Sequence, residues 1–149
     1  MNASNNVGGG DTAAARNVIS GNSTAGVRVT GTAAVNAVKG NYIGTNAAGT
    51  AALPNGTGAE IFSAGSVVGG LAPSPGEAPG NLISGQSTNL HINGPGVNVQ
   101  GNLIGTDAAG SPGFAGGLFG IVCYAQDVAV PGGLPRVPDG GGVRGQAER

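Results

Sequence analysis

A ten-residue string recurs in this chain with two positions changed. Gly40-Asn41-Tyr42-Ile43-Gly44-Thr45-Asn46-Ala47-Ala48-Gly49 returns as Gly101-Asn102-Leu103-Ile104-Gly105-Thr106-Asp107-Ala108-Ala109-Gly110, 61 positions later. Arg16-Asn17-Val18-Ile19-Ser20-Gly21-Asn22 returns as Gly80-Asn81-Leu82-Ile83-Ser84-Gly85-Gln86, 64 positions on. Val7-Gly8-Gly9 reads as recurring at Val68-Gly69-Gly70, with a weaker third copy at Val130-Pro131-Gly132-Gly133. An internal period of this size is the mark of a stacked repeat architecture, in which one unit buries its apolar face only against the next.

Each unit divides again. Asn17-Val18-Ile19 and Asn41-Tyr42-Ile43 share an Asn-apolar-Ile core, preceded by a Val-containing run and followed by an alternating one. The alternating runs are Val27-Arg28-Val29, Ala59-Glu60-Ile61, Leu90-His91-Ile92 and Gly120-Ile121-Val122-Cys123. Short Val/Ile runs bounded by Gly and Asn read as strands, and no segment carries an uninterrupted helical pattern. Gly and Asn suit the corners because both tolerate positive φ.

Three short strands in roughly 30 residues, repeated four times, predict a triangular coil whose turns stack about 4.8 Å apart with parallel pairing. Part of a fifth coil falls at Asp127-Val128-Ala129-Val130. Ile19, Ile43, Ile83 and Ile104 are then expected in one interior column. Asn17, Asn41, Asn81 and Asn102 are expected in a corner row whose amides bond from coil to coil. The composition fits such a narrow core. With 32 Gly, 9 Pro and only 9 % charged residues, an aperiodic chain would be classed as low-complexity, but a solenoid needs few large side chains.

These strings resemble the right-handed parallel β-helix proteins of the pectin-lyase-like superfold. More narrowly, they look like bacterial secreted or surface proteins with tandem "G-N-x-I-G-T-D-A-x-G" and "G-N-x-I-S-G-N" pairs. The likeness covers residues 5–133, in units of about 7–67 and 68–130. The expected fold is therefore an all-β, right-handed parallel β-helix of about four coils. Residues 134–149 lack a strand pattern and are expected to form a disordered tail or to be a reading-frame artefact. The chain is expected to be a fragment, with neighbouring repeats in a longer parent.

The superfold hosts lyases, hydrolases and inert stalks alike, so the fold alone assigns no activity. A glycosidase needs a carboxylate pair about 5–10 Å apart, and calcium-dependent lyases need clustered carboxylates. The best-placed pair is Asp11 and Glu77, in equivalent loops two coils apart; solvated loop charges are the better reading. Gly8-Gly9-Gly10-Asp11 partly matches a calcium-binding nonapeptide but occurs once, without the tandem copies that share an ion. His91 is expected to face outward in line with Arg28, and Cys123 to face inward as a small apolar residue. Tyr42 is read as packing, Arg28 and Lys39 as solvated charges, and Asp107 as the one charge in the longest loops. Asn-x-Ser/Thr triplets at Asn2, Asn22 and Asn55 are discounted as chance matches in an Asn- and Thr-rich chain.

Other classes are excluded or left open by composition. Six Lys+Arg against seven Asp+Glu give no electrostatic footprint for nucleic acid. No apolar window is long enough to span a membrane. One cysteine excludes an intramolecular disulfide. Thr30, Thr45 and Thr106 do not recur on every coil, which disfavours an ice-binding face. The expectation is a non-catalytic structural or adhesive solenoid segment, with no catalytic, cofactor or metal residues. Carbohydrate or cell-surface components are the partners that the resemblance suggests. The alternative is a fragment of a polysaccharide lyase or glycoside hydrolase whose active site lies elsewhere. An extracellular or cell-surface location follows from the resemblance only; Met1-Asn2-Ala3-Ser4-Asn5-Asn6 has neither the basic start nor the apolar run of a secretory signal.

Overall fold

The computed structural model describes residues 4–32, 35–112, 114, 117–130 and the backbone of 144–145. The chain winds four times through three parallel sheets. Coil 1 holds β1 (Val7–Gly9), β2 (Val18–Ile19) and β3 (Ala25–Val29). Coil 2 holds β4 (Ala37–Lys39), β5 (Tyr42–Ile43) and β6 (Thr57–Ile61). Coil 3 holds β7 (Val67–Gly69), β8 (Leu82–Ile83) and β9 (Thr88–Ile92). Coil 4 holds β10 (Asn98–Gln100), β11 (Leu103–Ile104) and β12 (Phe119–Cys123). The first, second and third strands of every coil form sheets 1, 2 and 3 respectively. A parallel β-solenoid of three-strand coils is thus the architecture.

Alternation of side chains along each strand sends one set of residues into the coil. Ile19, Ile43, Ile83 and Ile104 pair in register down sheet 2, and the last three are at most 1 % exposed. Val38, Val68 and Val99 face them from sheet 1, and Ala59, Leu90 and Ile121 from sheet 3. The expected interior column is present. β-Branched residues suit it because their stiff side chains pack well on a pleated surface.

The corner row of Asn is also present, and it is directional. Asn41 Oδ1 accepts from the N–H and the side-chain amide of Asn17, at 3.2 and 2.9 Å. Asn81 Oδ1 accepts likewise from Asn41 at 2.9 and 3.2 Å, and Asn102 Oδ1 from Asn81 at 2.9 and 2.8 Å. Each amide also bonds back to the coil before it: Asn41 to Gly8 O, Asn81 to Val38 O and Asn102 to Val68 O. Buried polar groups are tolerated because they are satisfied in this way.

Two further ladders were not anticipated from the repeat. Asn22 donates to Asn55 Oδ1 with both its N–H and its side chain, and Asn6 does the same to Asn36 Oδ1. Asn22 and Asn55, discounted above as sugar acceptors, are therefore committed to coil-to-coil bonds. Asn36 continues its ladder to Ser63 Oγ at 3.2 Å.

The glycine match shifts by one residue. Val7 pairs with Ala37 and Ala37 with Val67, so Gly9 corresponds to Gly69 and Gly8 to Val68. Gly9 and Gly69 have φ of 94° and 85°, and a Cβ on either would lie 2.5 Å from the Oδ1 of Asn41 or Asn102. The spacing of the string preserved the residue type but not the register, because the following loops differ in length.

Outside sheet 2 lies a second, smaller apolar layer. Val18, Tyr42, Leu82 and Leu103 form its outward row, and Leu82 is fully buried. The loops after β5 and β11 cover it. They belong to coils 2 and 4 yet touch, Ala108 N–H donating to Gly49 O at 2.9 Å, because the coil-3 connection between β8 and β9 is only Ser84–Ser87.

At the C-terminal end Ala129 bridges to Asn98 in parallel, continuing sheet 1 into a partial fifth coil. The tail expectation for 134–149 lies outside the described residues except at Arg144–Gly145. That pair forms a short strand, β13, on Val122 and Cys123.

Candidate functional site

The outward row of sheet 3 carries the densest chemistry. The apolar-x-apolar runs of β3, β6, β9 and β12 put their middle residues on the outer face, and register stacks Arg28 on Glu60, Glu60 on His91 and His91 on Val122. Arg28 Nε donates to Glu60 Oε2 at 2.5 Å. The carboxylate is largely buried while the guanidinium stem stays more than half exposed. His91 lies edge-on between two rings, 5.9 Å from Phe62 and 5.6 Å from Tyr124. Its Nε2 is buried without a hydrogen-bond partner. Phe62 and Tyr124 remain 40 % and 71 % exposed, so this face offers two rings, an ion pair and an imidazole along the four coils.

Arg28 and His91 hold equivalent positions in the two repeat units, and Glu60 stands between them. The signal was in the sequence: Val27-Arg28-Val29, Ala59-Glu60-Ile61 and Leu90-His91-Ile92 share one pattern. His91 faces outward and Cys123 packs partly buried against the interior, as read above.

A cleft of about 410 Å³ opens on the outer side of sheet 2, between the loop at Pro75–Glu77 and the loop at Ala108–Gly110. Arg16 and Tyr42 form its far wall. The Arg16 guanidinium lies 3.9 Å over the Tyr42 ring, and its Nε donates to Gly40 O at 3.2 Å. Tyr42 is thus a packing residue that also seats a cation on its exposed face.

Asp11 and Glu77, the best-placed pair by sequence, have different surroundings. Asp11 pairs with Lys39 at 3.1 Å, while Glu77 lines the cleft. Coil 2 stands between their loops, with Gly40 N–H donating to Pro79 O on one side. Lys39 is accordingly an ion-pair partner rather than a lone solvated charge, and the same correction applies to Arg28. Asp107 Oδ1 accepts the N–H groups of Ala109 and Ser111, both at 2.9 Å. Asn46 Oδ1 accepts those of Thr50 and Ala51 in the equivalent loop. In both copies of the Thr-Asn/Asp-Ala-Ala-Gly string the side chain thus closes its own loop, Asp107 by an Asx turn to Ala109 and Asn46 by bonds four and five residues on. Among the described residues no three His, Cys, Asp or Glu side chains gather in a metal-binding arrangement. No helix among them is long and apolar enough to cross a membrane.

Fold and ladders together define the class: a four-coil parallel β-solenoid with polar corner ladders. Neither a protein-family model, nor a curated protein, nor a solved structure matches the chain.

Proposed function

We propose that this chain is a structural or adhesive segment of a β-solenoid, related to the pectin-lyase-like superfold, in a secreted or cell-surface bacterial protein. Its product is shape: a stiff, hydrogen-bonded stack whose length grows with coil number. The observation that supports this reading is where the repeated residues spend their polar groups. Asn17, Asn41, Asn81 and Asn102 bond coil to coil, and Asp107 closes its own loop. Asp11 and Glu60 pair with bases rather than with another carboxylate. Repetition therefore maintains the stack, and the exposed rings of sheet 3 are the surface available for contact with carbohydrate or other cell-surface material.

The test is an assay of the full chain against pectate, alginate and related glycans for binding and for bond cleavage. Retention without cleavage is the expected result. Cleavage abolished by Glu60→Gln or His91→Ala would overturn the structural reading in favour of a polysaccharide-cleaving enzyme.

A further inference from the structure

The N-terminal end of the stack differs from its middle in one respect. Along the first ladder the oxygens of Asn41, Asn81 and Asn102 accept from the coil before them, and the amides of Asn17, Asn41 and Asn81 donate to the coil after them. The second ladder has the same polarity, from Asn22 to Asn55. At coil 1 this leaves Asn17 Oδ1 and Asn22 Oδ1 without donors among the described residues, and both residues are exposed. The strands β1, β2 and β3 are each outermost in their sheets at this end. A cavity of about 460 Å³ opens there, with Val27, Val29 and Val38 on its apolar side and Asn6, Thr30 and Asn36 on its polar side.

We infer that this end is a docking surface for one more coil of the same three-strand repeat. The incoming coil presents corner Asn amides to Asn17 and Asn22 and apolar side chains to the valines of the cavity. The surface is continuous with the three coil-to-coil interfaces inside the molecule, each closed by the first Asn ladder, and the interface of coils 1 and 2 by the second as well. The inference rests on the structural-segment reading, in which such a coil belongs to an adjoining repeat.

A second copy of this chain fits less well. Its C-terminal end already has Ala129 on β10 and β13 on β12, so it cannot offer three open strands. Two N-terminal ends brought face to face would set carboxamide oxygen against carboxamide oxygen. An edge of three unpaired strands over an open apolar interior is otherwise an aggregation template.

The experiment is a fusion. Residues 35–64, the sequence of coil 2, are duplicated and joined directly ahead of Asn5. Amide hydrogen exchange is then compared between the fused and original chains. Exchange in β1, β2 and β3 should slow at least about tenfold, with coils 2 to 4 serving as the internal reference for intact folding. The same fusion carrying Asn41→Ala and Asn55→Ala in the added copy alone should lose most of that protection. Unchanged exchange in β1 to β3, or equal slowing by the donorless coil, would overturn the inference. So would slowing in the unfused chain that grows with protein concentration, since the occupant would then be a second copy. None of these readouts depends on glycan cleavage, so the inference and the structural reading fail separately.

Discussion

Asn81 and Asn102 lie one above the other at the same corner of consecutive coils, the Nδ2 of the first 2.8 Å from the Oδ1 of the second. Asn81 is fully buried, and its amide also reaches Val38 O at 2.8 Å. Its oxygen accepts the Asn41 N–H at 2.9 Å. Asn81→Ala strands that N–H and the Val38 carbonyl, each a buried group costing roughly 1–3 kcal/mol when unmade. The variant should lose about 2–4 kcal/mol in urea unfolding. Asn17→Ala, at the exposed end, should lose distinctly less.

The isoleucine column predicts a gradient. Ile83 is completely buried between Ile43 and Ile104, so Ile83→Ala should cost about 2–5 kcal/mol. Ile19 is only partly buried at the open end, and Ile19→Ala should fall below that range. Chemical denaturation of the two variants checks it; equal losses would contradict a column that is closed in the middle and open at one end.

Gly69 and Gly65 separate steric cost from conformational cost. Both have positive φ, 85° and 62°. A Cβ at Gly69 would sit 2.1 Å from Gln100 O, whereas one at Gly65 meets nothing within 4 Å. Gly65→Ala should cost about 1 kcal/mol, the ordinary penalty of a left-handed residue. Gly69→Ala should cost at least about twice as much, because the clash is with backbone and displaces the Asn102 amide. Thermal melts of the pair decide.

Asp107 and Asn46 both accept the N–H four residues on, Ser111 in one loop and Thr50 in the other. Asp107→Asn should therefore change stability by less than about 0.5 kcal/mol, while Asp107→Ala should cost about 1 kcal/mol by removing an acceptor for two N–H groups. Millimolar calcium should leave the melting temperature of the parent chain unmoved. A calcium-dependent rise lost in Asp107→Asn would show that the loop holds an ion.

The Arg28–Glu60 pair should give a coupling energy of about 1 kcal/mol in a double-mutant cycle. Exposure of the guanidinium keeps that value near the range of surface pairs, and raising salt should reduce it. Arg28→Ala alone should destabilise more than the coupling accounts for, since it leaves the largely buried Glu60 carboxylate unpaired.

Much of this solenoid could be read before any coordinates. The Ile column and the Asn17 row follow from residues that recur in two strings, and the strand set and coil number from the short runs around them. The sites were less legible. Arg28, Glu60 and His91 share a local pattern, yet their adjacency depends on register, and Glu60 falls 32 residues after Arg28 but 31 before His91. The ladders at Asn6 and Asn22 were hidden for a similar reason: their partners lie 30 and 33 residues away, at spacings the longer repeat does not display.

Local pattern alone determined that this chain forms short parallel strands around a thin β-branched core, because alternation and corner residues are properties of neighbours in sequence. Tertiary structure alone decided which coil's residue meets which. Loops of unequal length absorb the differences in spacing, and contact between stacked strands depends on what remains after that absorption. Hence the one-residue shift at Gly9 and Gly69, the carboxylate set between Arg28 and His91, and the loops of coils 2 and 4 meeting over Leu82 emerged only in three dimensions.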